Sequence, residues 1–105
     1  MKLSVYSLNK ILFQGDAQLL NCKTVMGEIT VLDNHEPLIT VLSRGPVKIV
    51  KSGTREATVD DDLLPKKDRI PGESKDIKKG EYFFEIKSGF LEVRPDNEVR
   101  CIVEV

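Results

Sequence analysis

An all-β domain, built as an antiparallel sandwich or barrel of short strands, is predicted by three features of the 105-residue sequence. Apolar residues recur with a period of two, and turn-forming residues break the runs at near-regular spacing. No stretch of about twelve residues or more holds a helical period. With no helical crossovers to join parallel strands, a doubly wound α/β fold has no support.

The elements follow in order. Leu3 and Val5 alternate with Lys2, Ser4 and Tyr6, so one side of this strand faces a core. Gln14-Gly15-Asp16 reads as the turn between the first two segments, and Met26-Gly27 as the next. A strand from Ile29 to Leu32 runs into the polar loop Asp33-Asn34-His35-Glu36-Pro37. On spacing alone this loop is the tip of a hairpin whose polar residues keep the edge soluble. Pro37 opens a second apolar segment, and Arg44-Gly45-Pro46 ends it in a tight turn. Val47 and Ile49 flank Lys48; Tyr82, Phe84 and Ile86 flank Phe83 and Glu85; Leu91 and Val93 flank Glu92. Pro95-Asp96-Asn97 closes a late hairpin into Val99, Cys101, Val103 and Val105, which alternate with Arg100, Ile102 and Glu104.

The segment Gly53–Gly80 breaks the pattern. Seven acids and seven bases cancel there, apolar residues are sparse, and Pro65 and Pro71 oppose a continuous helix or central strand. It is expected to form an extended charged hairpin or loop insertion over about residues 53–80, anchored near Thr54–Val59 and Lys78–Phe84.

Composition narrows the function. Sixteen Lys and Arg against seventeen Asp and Glu leave a net charge of −1, which gives no field for nucleic acid. Apolar runs such as Pro37–Leu42 are far shorter than the roughly 20 residues of a spanning helix. The first residues turn polar too soon for a secretory leader. A soluble protein of intracellular type is expected. Cys22 and Cys101 read as small buried hydrophobes, and His35, the single histidine, leaves no raw material for an ordinary zinc site. Asp60-Asp61-Asp62 lacks the spacing and glycine of a calcium loop, and no glycine-rich phosphate loop is present. Cys22 with His35 is the one conceivable nucleophile–base pair, and it requires an exposed, acidified thiol in a strand-like run.

Gly27 to Leu42 is the informative stretch. Its Gly-Glu-x-x-x-x-x-x-His-x-Pro-Leu pattern resembles the epsilon subunit of F-type ATP synthases, called delta in mitochondria. Leu12-Phe13-Gln14-Gly15 resembles that family's Phe-x-Gly turn, and Arg44–Ile49 its Pro-Gly-Val-x-x-Ile run. Ser88-Gly89-Phe90-Leu91-Glu92-Val93 resembles its Gly-Gly-Phe-Leu-Glu-Val segment, with Ser88 in place of the first glycine. The four stretches occur in the family's order and touch all of the chain except the charged segment.

The resemblance implies a two-sheet antiparallel β-sandwich of about ten short strands, spanning residues 1–105. It implies a non-catalytic rotor subunit of the central stalk that links the gamma subunit to the c-ring and couples proton or sodium flow to ATP synthesis. No cofactor is implied, and membrane association is only through the complex, at the cytoplasmic face of the inner (plasma) membrane in a bacterium. Glu28 and His35 match the family's Glu and His at partner contacts, with Asp33, Asn34 and Glu36 beside the histidine; Ser7 and Thr40 match positions near gamma. The family's usual Pro-Gly before the histidine and Ala after it are replaced here by Asp33-Asn34 and Glu36, which makes the loop more acidic. Val105 falls where the family's sandwich ends, so its two-helix C-terminal domain is expected to be absent, and inhibition or ATP binding by that domain is not carried over. A free-standing β-sandwich that binds a small ligand or peptide is the competing reading.

Overall fold

A computed structural model of the chain describes residues 1–53, 57–60 and 80–105. These residues form nine strands and no helix: β1 Lys2–Ser7, β2 Lys10–Thr24, β3 Gly27–Leu32, β4 Leu38–Leu42, β5 Gly45–Lys51, β6 Thr58–Val59, β7 Glu81–Ile86, β8 Ser88–Val93 and β9 Glu98–Glu104. The all-β prediction holds.

The ladders sort into two layers that share β2. Its first half pairs with β1 and β6, and β1 continues through β9 and β8 to β4. Its second half pairs with β3 and β5, and β5 with β7. One further bridge, Thr24 opposite Leu42, joins the second half of β2 directly to β4. All pairs are antiparallel except β1 with β9, which run parallel.

Gln14-Gly15-Asp16 is not a reversal. These residues lie inside the 15-residue β2, opposite Ser4, Leu3 and Lys2. What they mark is the change of layer. Pairing with β1 ends at Asp16, pairing with β5 starts at Ala17, and the register slips between Ala17 and Leu19. A register slip bends a strand. The reversal between β1 and β2 comes instead at Leu8-Asn9, and the next lies where it was expected, at Val25-Met26, where Gly27 takes φ +122. There the Thr24 hydroxyl donates to Gly27 O at 2.8 Å and accepts the Met26 N–H at 3.0 Å.

The loop after β3 is not a hairpin tip either. β3 pairs with β2 and β4 with β8, so residues 33–37 carry the chain from one layer to the other. Alternation places the core between the layers. Val99, Cys101 and Val103 point in from β9, while Arg100, Ile102 and Glu104 point out. Phe13 of one layer meets Tyr82 of the other with ring centroids 5.8 Å apart. Burying one such large apolar side chain is worth about 1.5–3 kcal/mol, which is what holds the layers together.

The charged segment lies mostly outside the described residues, and with it the hairpin arm. Of its flanks, β6 rests on β2 and β7 on β5, one in each layer. Among the described residues no helix is long and apolar enough to cross a membrane.

Candidate partner-contact surfaces

The residues singled out from the sequence fall in four places, not one. Glu28 is the second residue of β3, opposite Lys23, beside the exposed turn Val25-Met26. Asp33 follows the last residue of β3, and strand geometry puts about 17 Å between the two. Ser7 ends β1, where its hydroxyl donates to Lys10 O at 3.4 Å. Thr40 sits mid-β4 opposite Leu91, partly buried.

The 33–36 loop is tied to the start of β1 and to the β8–β9 turn. Asp33 Oδ1 pairs with the Met1 ammonium group, which also donates to Ala17 O at 3.0 Å. Asn97 Nδ2 donates to the same Asp33 oxygen at 3.4 Å, and Asn97 Oδ1 accepts the Asn34 N–H at 2.8 Å. The ammonium bond holds the Asp33 carboxyl below its ordinary value, against a small opposing effect of burial. His35 Nδ1 lies 2.8 Å from Glu36 O. A carbonyl only accepts, so Nδ1 carries the proton of this contact. The Asp33 carboxylate thus ties the loop to the chain start although the residue is exposed, a structural use the sequence did not signal.

Because the folded carboxyl is the stronger acid, its contribution is full above the unfolded value near 3.9 and fades as pH falls through the folded one. Asp33→Asn should therefore lower Tm at pH 7 by no more than about 4 °C, the half-exposed pair being screened by water. The gap between thermal scans of the two proteins should narrow as pH falls below about 3.9; a gap that widens there would contradict the assignment.

Among the described residues no nucleophile is assembled. Cys22 and Cys101 are both free and fully enclosed. Burial pushes the Cys22 thiol up to about 11 and the Cys101 thiol to about 12, with Cys22 adding to the latter. Both are neutral thiols at pH 7. Cys22 points into the core, while His35 sits on the loop beyond the end of β3, so the structure does not bring them together. Asp60 is ion-paired to Lys10 at 2.9 Å, and Asp61 and Asp62 lie outside the described residues. Among the described residues no cluster of His, Cys, Asp and Glu is suited to a metal ion.

A surface that sequence reading missed lies on the outer face of the β4-β8-β9-β1-β2 layer. Val41 is opposite Phe90, Phe90 opposite Ile102, Ile102 opposite Tyr6, and Tyr6 opposite Ile11. This is one apolar row across five strands. Phe90 is 59% and Ile102 58% exposed, and Ile39 beside them 76%. A shallow groove of about 590 Å³ extends the row toward Leu8 and Val105. The available signal was an apolar residue at an outward position of a period-two run, as at Ile102.

Comparison with known proteins places these surfaces in context. Residues 1–64 match the family model of the ATP synthase delta/epsilon chain, beta-sandwich domain. The ATP synthase epsilon chain of Shouchella clausii is 29% identical over 97 residues, covering 92% of this chain and 53% of that protein. The epsilon chain of Chromohalobacter salexigens is 28% identical over 92 residues, covering 88% and 48%. The chain spans about half the length of the curated relatives it matches. In fold it is similar to a chain of the Tetrahymena thermophila mitochondrial ATP synthase central stalk and c-ring, with a TM-score of 0.67 at 18% identity. That match covers all of this chain and 63% of the other. A chain of the Euglena gracilis mitochondrial enzyme gives 0.68 at 17%, covering 98% and 49%. At such identities the likeness speaks for the fold alone. With the family model covering more than half of its residues, the chain belongs to the ATP synthase delta/epsilon family, as its beta-sandwich domain.

Proposed function

We propose that the chain is a non-catalytic central-stalk subunit of a proton- or sodium-translocating F-type ATP synthase, linking gamma to the c-ring and coupling ion flow to ATP synthesis. It carries no cofactor, and it sits at the membrane only through the complex, on the cytoplasmic side in a bacterium. The observation that carries this reading is the apolar row Val41-Phe90-Ile102-Tyr6-Ile11, left open to water on an otherwise ordinary sheet face. Exposed rows of this kind are contact surfaces for other proteins. In this reading gamma packs on the row. Glu28 offers its carboxylate to basic side chains of the c-ring loops, where a rim charge sets register more than affinity. His35 and its neighbours contact the stalk from the opposite end of β3. A closely packed two-layer core suits a part that must pass on torque without yielding.

The test uses Phe90→Asp and Ile102→Asp. Both side chains point out of the sheet, so the fold should survive. Aromatic anchors at interface centres commonly cost about 2 kcal/mol or more when lost, so gamma affinity should fall roughly 30-fold or more in co-purification and titration. Folded variants that retain gamma at wild-type affinity would remove the row from the interface.

A further inference from the structure

We infer that Asn97, on the β8–β9 turn, is a positioning residue for the partner contact that the 33–36 loop makes through His35. This rests on the partner-contact reading of that loop given above. Because β3 and β4 lie in different layers, no hairpin ladder holds residues 33–37. Within the loop the bonds are local, from the His35 N–H to Leu32 O at 3.2 Å and from His35 Nδ1 to Glu36 O at 2.8 Å. Order comes from outside, across 63 residues of sequence.

Asn97 uses its whole amide for this. Its Oδ1 takes the Asn34 N–H at 2.8 Å while its Nδ2 reaches the Asp33 carboxylate. A flipped amide would set a donor against a donor and an acceptor against a carboxylate, so chemistry allows one orientation. Its own carbonyl accepts the Lys2 N–H at 3.0 Å, which fastens the turn to β1. Asn34 and Asn97 both have φ 61, in the left-handed region where asparagine is among the few side chains readily accommodated. Asp33 is thereby held by its carboxylate and Asn34 by its backbone N–H, while both residues stay exposed. The clamp ties them to β1 and the β8–β9 turn, and so fixes the point from which the chain presents His35 and Glu36.

The experiment compares wild type, Asn97→Gly, His35→Ala and the double variant in the assembled ATP synthase, with hydrogen exchange read on the isolated full chain. Glycine keeps φ 61 without strain but frees the turn's backbone, so a change confined to the 33–36 loop is what reports the lost amide. Asn97→Gly should speed exchange of the Asn34 and His35 amides about tenfold, the worth of about one net hydrogen bond, with little change elsewhere. It should also weaken assembly with the stalk several-fold, and add nothing to the loss already caused by His35→Ala. Unchanged exchange overturns the clamp. Faster exchange with undiminished assembly overturns the role in recognition and leaves the clamp standing. If His35→Ala itself has no effect on assembly, it is the partner-contact reading of the loop that fails, whatever the exchange shows.

Discussion

Phe13→Ala is expected to cost about 3–5 kcal/mol of folding stability. Phe13 lies on the first half of β2, with no exposed surface, between Val5 of β1 and Val59 of β6. Its ring is tilted 54° to that of Tyr82, which belongs to β7 in the other layer. The side chain therefore does two things: it fills the space between layers, and it makes an aromatic contact worth about 0.5–1.5 kcal/mol beyond its area. Truncation leaves a cavity that cannot collapse easily, since hydrogen-bonded ladders hold the backbone on both sides. Small domains are stable by only about 5–15 kcal/mol, so much of the margin would go. Tm should fall on the order of 15–30 °C. Denaturant titration would read the loss directly, with an unchanged slope showing that the two-state transition is intact. Phe13→Leu, which keeps most of the volume, should cost about 1.5 kcal/mol or less. A loss below about 1 kcal/mol in Phe13→Ala would mean that the layers are not held together at this point.

Period-two patterning made most strands legible, because each strand's inward and outward positions are set by the backbone itself. Lys2–Ser7, Glu81–Ile86, Ser88–Val93 and Glu98–Glu104 all follow it. It failed at Gln14-Gly15-Asp16, where turn-type residues serve a strand that switches layers, and local composition does not distinguish that from a reversal. The loop at Asp33 misled in the converse way. Its polar tip looks the same whether the next strand returns beside β3 or crosses to the other layer. The apolar row and the Asn97 clamp were out of reach for one reason: both are made by register between strands distant in sequence. Ile102 could be seen to point outward, but Phe90 and Tyr6 as its neighbours could not. The expected strand Ile29–Leu32, by contrast, already set Glu28 before it and His35 beyond it, as β3 does.

Gly89→Ala is the second substitution expected to do serious damage, and it shows why one glycine of a pair is exchangeable and the other is not. A Cβ at Gly89 would lie 2.5 Å from the Ile102 carbonyl oxygen and 3.2 Å from both Cα and Cγ1 of Val103. The first of these is backbone, committed to the β8–β9 region of the sheet, so it cannot swing away as a flexible side chain would. Gly89 is paired on both sides, with Val103 and with Leu42, and a shift outward disturbs two ladders. Overpacking of this type costs about 1–3 kcal/mol, and the rigid neighbours place Gly89→Ala at the upper end. Ser88 is different: it is exposed, and its hydroxyl donates to a Glu104 carboxylate oxygen at 3.3 Å, so Ser88→Ala should stay within about 0.5 kcal/mol. The damage at Gly89 should reach function as well as stability. Phe90 is the next residue, and its outward position in the apolar row depends on the same two ladders. Folded Gly89→Ala protein, assayed below its lowered Tm, should therefore bind gamma more weakly, although no atom of Gly89 belongs to the row. Wild-type stability would show that β8 can move away from β9 at this position; lost stability with undiminished gamma binding would separate the strand pairing from the docking face.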